Sequence, residues 1–182
     1  MKARHLTRWA AGVVVVVLIA VAVVLATRPP SQAAQIDSPL IGKPAPAITG
    51  TAFDSARFSL SSYRGRFVLV NFFASWCPPC QSEEPNLAAF AFTQSRSPNG
   101  AALVSVDIDD TVAAGRAFVT QWGATWPAIP DHNGAIANDY GVGSPPMTFL
   151  IDPKGRIIGV WAGPATAGQL EAKLAAARKA QA

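Results

Sequence analysis

Cysteine is nearly absent from this chain: Cys77 and Cys80 are the only two in 182 residues. The loop between them is too short to make a useful structural staple, because the entropic gain from a cross-link grows with loop length. Histidine is equally scarce. A tetrahedral zinc site needs four ligands, and His132 is the single histidine beyond His5 in the leader. Charge is also thin, at 14% of residues, and its small basic excess is local. Of 15 Lys and Arg against 11 Asp and Glu, four are Lys2, Arg4, Arg8 and Arg28, so the remainder of the chain is balanced at eleven of each. The pI near 9.4 therefore reports the N-terminus and gives no ground for a nucleic-acid partner. The chain shows no internal repeat.

What is present begins with an apolar run. Trp9 to Ala26 are eighteen positions without charge, mostly Val, Ala, Leu and Ile. At about 1.5 Å per residue the run nearly spans a hydrocarbon core of about 30 Å. Lys2, Arg4 and Arg8 precede it and only Arg28 follows closely, which places the N-terminus in the cytoplasm. The reading is a basic leader over residues 1–8, a transmembrane signal-anchor over 9–27 touching the bilayer through 9–26, and a Pro-, Ser-, Gln- and Ala-rich linker over 28–42. A cleaved signal peptide is the alternative, with small residues at Val24-Leu25-Ala26 and Gln32-Ala33-Ala34. It would leave a secreted or periplasmic protein. No cysteine closely follows the run to carry a lipid. Either way, residues 43–182 are expected outside the cytoplasm as one domain, monomeric by default.

Within that domain, Ala45 to Leu60 suggests two short strands. Phe67 to Phe73 and Ala101 to Val106 are nearly continuous apolar runs, as in strands covered on both faces. Between them, Leu87, Phe90, Ala91 and Gln94 recur at helical spacing after Pro78, with Pro85 inside the helix. Strand, helix, strand implies a parallel pair. Thr111 to Trp122 reads as a second helix with Val112, Phe118 and Val119 as core candidates, and Trp126 to Ile136 as a turn-rich connection. Met147 to Ile151 and Arg156 to Trp161 flank the turn Asp152-Pro153-Lys154-Gly155. Thr166 and Gln169 form a capping box before a last amphipathic helix.

The organising stretch is Trp76-Cys77-Pro78-Pro79-Cys80. A Cys-x-x-Cys where a strand meets a helix reads as a reversible dithiol. Cys77 at the helix N-terminus, where the dipole favours a thiolate, is the expected nucleophile, and Cys80 one turn further the resolving thiol. Pro78 and Pro79 carry no backbone N–H, so the Cys80 amide is the first donor that can reach the Cys77 sulfur. A sparse donor set implies a modestly lowered pKa and a reductant-leaning couple. Glu83 follows Cys80 by three residues, on the same helix face. Asp107, Asp109 and Asp110 read as a solvated strand end.

Gly65 to Pro85, with Trp76-Cys77-Pro78-Pro79-Cys80 at its centre, resembles the active-site segment of the thioredoxin-like family of TlpA, ResA and CcmG (DsbE). Tyr140 to Asp152, containing Ser144-Pro145-Pro146-Met147-Thr148, is similar to that family's second signature. The resemblance spans roughly residues 43 to 178. It implies a thioredoxin-like α/β fold, a central mixed sheet with helices on both faces, preceded here by the membrane anchor. It further implies a proton-transfer role for Glu83, because Asn71 stands where thioredoxin has a buried aspartate. Pro146 is implied as a cis-proline, with the Pro145 backbone and Trp76 forming the client-binding face. Tyr140 and Met147 are expected as apolar walls near the site. The implied activity is thiol:disulfide exchange with disulfide-bearing client proteins, apocytochrome c among them, supplied by a membrane thiol-disulfide electron donor. The dithiol itself serves in place of any cofactor. An oxidase or isomerase of the same fold is the alternative. A thiol peroxidase, for which Ala74 replaces the threonine expected before the cysteine, and a copper-binding module are more distant readings.

Overall fold

A computed structural model of the chain describes residues 14–21, 23 and 33–181. Contacts divide the chain into residues 1–31 and 32–182. In the first unit residues 14–21 are helical, and the large side chains from Val14 to Ile19 are all exposed. Residues 9–13, 22 and 24–26 of the apolar run lie outside the described residues. Among the described residues no helix is long and apolar enough to cross a membrane.

The second unit is built on a six-stranded sheet of β1 (Ala34–Gln35), β8 (Ile157–Ala162), β7 (Met147–Ile151), β4 (Val68–Phe73), β5 (Ala102–Ile108) and β6 (Ala128–Asp131), in that spatial order. β4 runs parallel to β5 and antiparallel to β7; β5 is parallel to β6, and β7 antiparallel to β8. Every residue of β4, β5 and β7 is buried, which explains why these strands carry unbroken apolar runs. β2 (Thr49–Thr51) and β3 (Arg57–Ser59) form a separate hairpin followed by a 3-10 turn at Leu60–Tyr63.

Among the described residues four helices cover the sheet: α1 (Pro78–Ser95), α2 (Val112–Gln121), α3 (Ala135–Tyr140) and α4 (Ala167–Gln181). Alternation along β4 sends Val68, Val70 and Phe72 to one face, where Ala137 and Tyr140 of α3 pack. Leu69 and its neighbours face α1 and α4 with Leu87, Phe90, Leu170 and Leu174. α1 and α4 are joined where Gln94 Nε2 donates to Glu171 at 2.8 Å and Ala167 N–H to Asn86 Oδ1 at 3.1 Å. The capping box forms reciprocally: Thr166 N–H donates to Gln169 Oε1 at 2.9 Å, and Gln169 N–H to Thr166 Oγ1 at 3.3 Å.

Three details differ from the sequence reading. Part of the linker stretch is structured, since Ala34 and Gln35 pair with Ala162 and Trp161 as an edge strand. Backbone pairing needs no apolar side chain, so composition does not reveal it. The turn-rich connection holds β6 and α3, the first containing Pro130, which an edge strand tolerates. Val112 is 38% exposed, while Phe118 is buried against Phe73 with ring centroids 5.1 Å apart.

Candidate active site

β4 ends at Phe73, and the chain turns through Ala74-Ser75-Trp76 into α1. Cys77 is the N-cap in extended conformation, and Cys77 and Cys80 are joined as a disulfide. The Cys80 N–H donates to Cys77 Sγ at 3.2 Å. The donor geometry drawn from Pro78 and Pro79 is therefore present, with the Cys80 amide the donor seen at that sulfur. Both cysteines are buried in this form, Cys77 at 3% and Cys80 at 1% exposure, among Phe53, Phe73, Ala74, Phe118 and Ala128.

Trp76 is the contrast, at 56% exposure. Its indole N–H donates to the Asp109 carbonyl at 3.0 Å, which holds the ring at the surface beside the buried disulfide. The Pro145–Pro146 peptide is cis. Pro146 precedes Met147, which pairs with Phe72 of β4, so the proline loop and the cysteine loop leave the sheet at the same end. Gly163 N–H donates to the Pro146 carbonyl at 2.9 Å. Tyr140 and Met147 do not line this site. Both pack on the opposite face, where Tyr140 contacts Phe72 and Phe149 and its hydroxyl donates to the Pro46 carbonyl.

Glu83 is not a helix-surface residue. It is 1% exposed, with Oε1 accepting the Ala165 N–H at 2.8 Å and Oε2 accepting Asn71 Nδ2 at 3.1 Å. Asn71 Nδ2 also reaches Thr148 Oγ1 at 3.2 Å, and its Oδ1 is buried with no partner among the described residues. Burial raises the Glu83 carboxyl to about 7, against the lowering effect of its two N–H donors. Glu84, also buried, is raised to about 7 by burial and by the neighbouring Glu83 charge. Two buried acids thus follow the cysteines within one turn of α1, and one of them went unmarked in the sequence. The signal was available: 80, 83, 84 and 87 fall on one helical stripe. His132 is an exposed loop residue, and among the described residues no cluster of metal-ligating side chains forms.

A mixed sheet with a Cys-x-x-Cys disulfide at the start of a helix and a cis-proline loop at the same edge defines a thioredoxin-like thiol:disulfide oxidoreductase. Comparisons with known proteins agree: residues 41–160 match the AhpC/TSA family, and the chain belongs to that family. It is similar to the thiol-disulfide oxidoreductase ResA of Bacillus anthracis, 34% identical over 134 residues, which are 74% of this chain and 76% of the relative. It is also similar to a thiol:disulfide interchange protein, the DsbE homolog of Paracoccus denitrificans, 38% identical over 133 residues, covering 71% of this chain and 70% of that one. Among solved structures, a thiol:disulfide interchange protein of the thioredoxin family from Chlorobium tepidum superposes with a TM-score of 0.64 at 26% identity, covering 74% of this chain and 94% of that chain. The chain is an oxidoreductase of this ResA and DsbE type, with Cys77 and Cys80 as its pair.

Proposed function

We propose that this oxidoreductase works as a reductant of disulfides in extracytoplasmic client proteins, held at a membrane through residues 9–26 with its N-terminus in the cytoplasm. The observation that carries the direction is the Cys80 N–H at Cys77 Sγ, the one donor to that sulfur among the described residues, with Pro78 and Pro79 unable to donate. A reduced form with few donors to its thiolate is weakly stabilised, and a weakly stabilised reduced form makes a reductant.

The Cys77 thiolate attacks a client disulfide, so that one Cys77–client bond forms and the other client sulfur leaves and takes up a proton. Cys80 then loses its proton and attacks Cys77 Sγ, closing the internal disulfide and releasing the client as a dithiol. Two electrons pass to the client, and a membrane thiol donor restores the pair. Glu83 carries the proton from Cys80, since a buried carboxyl raised to about 7 exchanges protons near neutral pH. Trp76 and the Pro145–Pro146 backbone flank the exchanging sulfurs and receive the client as an added extended segment. The resemblance to TlpA, ResA and CcmG adds apocytochrome c to the client class, and the exposed side chains at 14–19 support the lipid contact.

The test is a trapping experiment in full-length protein. Cys80→Ala should accumulate mixed disulfides through Cys77, whereas Cys77→Ala should trap nothing and reduce nothing. Traps formed by Cys77→Ala but not by Cys80→Ala would reverse the two roles.

A further inference from the structure

The central strands β4, β5 and β7 are buried throughout, yet they carry four polar residues, and three of these lie in one line across the sheet. Asn71 of β4 is in register with Ser105 of β5 on one side and with Thr148 of β7 on the other. In-register neighbours point to the same face, and for Asn71 that is the face on which Glu83 of α1 lies. A polar side chain in such a layer is costly unless it is bonded. Ser105 meets the need structurally, by accepting the Trp126 indole N–H at 2.8 Å. Asp107, the fourth, stands further along β5 against Gly115.

Asn71 and Thr148 answer only to the acid above them. Among the described residues the side-chain bonds of Asn71 run from Nδ2 to Glu83 Oε2 at 3.1 Å and to Thr148 Oγ1 at 3.2 Å, and the side-chain bond of Thr148 is the one it accepts from Asn71. Glu83 Oε1 accepts the Ala165 N–H at 2.8 Å. Thr148 stands two residues after Pro146, whose carbonyl accepts the Gly163 N–H at 2.9 Å, and Gly163 stands two residues before Ala165. The bonds close a ring. It runs from the proline loop through Thr148 and Asn71 to Glu83, and returns through Ala165 and Gly163.

We propose that Asn71 and Thr148 are positioning residues for proton exchange at Glu83: Asn71 supplies the donor that holds the carboxylate in place, and Thr148 fixes that donor to the strand leaving the proline loop. Their value rests on the function proposed above, in which Glu83 takes the proton that Cys80 gives up. An amide carries two N–H protons, which here serve one acceptor each. It stabilises the ionised carboxyl without adding a second buried charge beside it. The charged groups on the surrounding elements are few. On α1, Glu84 feels the Glu83 charge. On α4, Glu171 receives Gln94 Nε2 on both oxygens, and Lys173 lies over the Trp161 ring at 3.9 Å. β4, β7 and β8 carry no charged residue, and β5 carries Asp107 alone.

The test reads Glu83 itself, through its carboxyl carbon resonance in the full-length chain in the disulfide form, so that no thiol titrates and no client is involved. Glu83→Gln and Glu84→Gln assign the signals among the three glutamates. Asn71→Leu removes the donor and should move the Glu83 midpoint upward from the parent's by about one to two pH units, the worth of a hydrogen bond to a charged group. Thr148→Val keeps the side-chain shape and the Asn71 donor but removes the anchor, so the midpoint should move the same way by less. Thr148→Ser, which keeps a hydroxyl, should titrate as the parent does. An Asn71→Leu midpoint equal to the parent's, or Thr148→Val and Thr148→Ser titrating alike, overturns the proposal. If Asn71→Leu does not fold, the two Thr148 variants decide it alone. Because the oxidised chain is read without any exchange reaction, failure here is separate from failure of client reduction.

Discussion

Asn71 Nδ2 donates to Glu83 Oε2 at 3.1 Å, and neither side chain reaches solvent. An amide in the central strand thus holds the acid that follows the cysteines, its own oxygen finding no donor among the described residues. Burial raises that carboxyl to about 7 against the lowering effect of the Asn71 bond, which suits the proton exchange proposed for it.

Glu83→Gln should keep the fold, because the Asn71 amide can turn its free Oδ1 toward the new Nε2–H. It should slow closure of the Cys77–Cys80 disulfide and remove an ionisation near pH 7 from the rate profile, read by stopped flow on the mixed disulfide. Rates equal to the parent's across the pH range would contradict this.

The same burial makes stability pH-dependent. The folded pKa of Glu83, about 7, exceeds its ordinary 4.5, so the folded protein binds more protons between those values. The stabilisation is fully present below about pH 4.5 and is lost as pH rises through about 7. The change amounts to about 3 kcal/mol for this group. Denaturant melts should show Glu83→Gln flattening the slope and raising stability at pH 8 relative to the parent.

Two glycines in helices should respond in opposite directions to alanine. At Gly115 the Cβ would meet Asp107 Oδ2 at 1.9 Å and the Phe53 ring at 2.7 Å, whereas nothing lies within 4 Å at Gly168. Gly168→Ala should stabilise by about 0.5–1 kcal/mol through helix propensity. Gly115→Ala should lose about 1–3 kcal/mol to overpacking despite the same propensity gain. Thermal melts of both variants decide it.

Carbonate extraction tests the anchor. The full-length protein should stay with the membrane fraction, and recovery of a soluble form beginning near Thr27 or Ala34 would show a cleaved leader instead.

Much of the sheet was legible because burial on both faces leaves a plain mark: β4 and β5 are apolar almost without interruption. The hairpin of β7 and β8 announced itself through Asp152-Pro153-Lys154-Gly155, and the cysteine pair through its spacing. What stayed hidden depends on partners distant in sequence. Spacing puts Glu83 on the Cys80 face of the helix, but its burial depends on donors from Asn71 and Ala165, which helical spacing does not show. Asp107 reads as solvated until Gly115 clears room for it. α3 has six residues, too few for a period to emerge, and β1 is held by backbone pairing alone.

The most direct measurement is the reduction potential of the Cys77–Cys80 couple, obtained by equilibration with glutathione, in the parent and in Pro78→Gly. With the Cys80 amide as the donor at Cys77 Sγ, the parent should fall in the range of thioredoxin and the glutaredoxins, about −270 to −200 mV. Pro78→Gly, which adds an N–H at the first position of α1, should lower the Cys77 pKa and raise the potential together. A parent near the DsbA value of about −120 mV, or a Pro78→Gly variant unchanged in both quantities, would contradict the account.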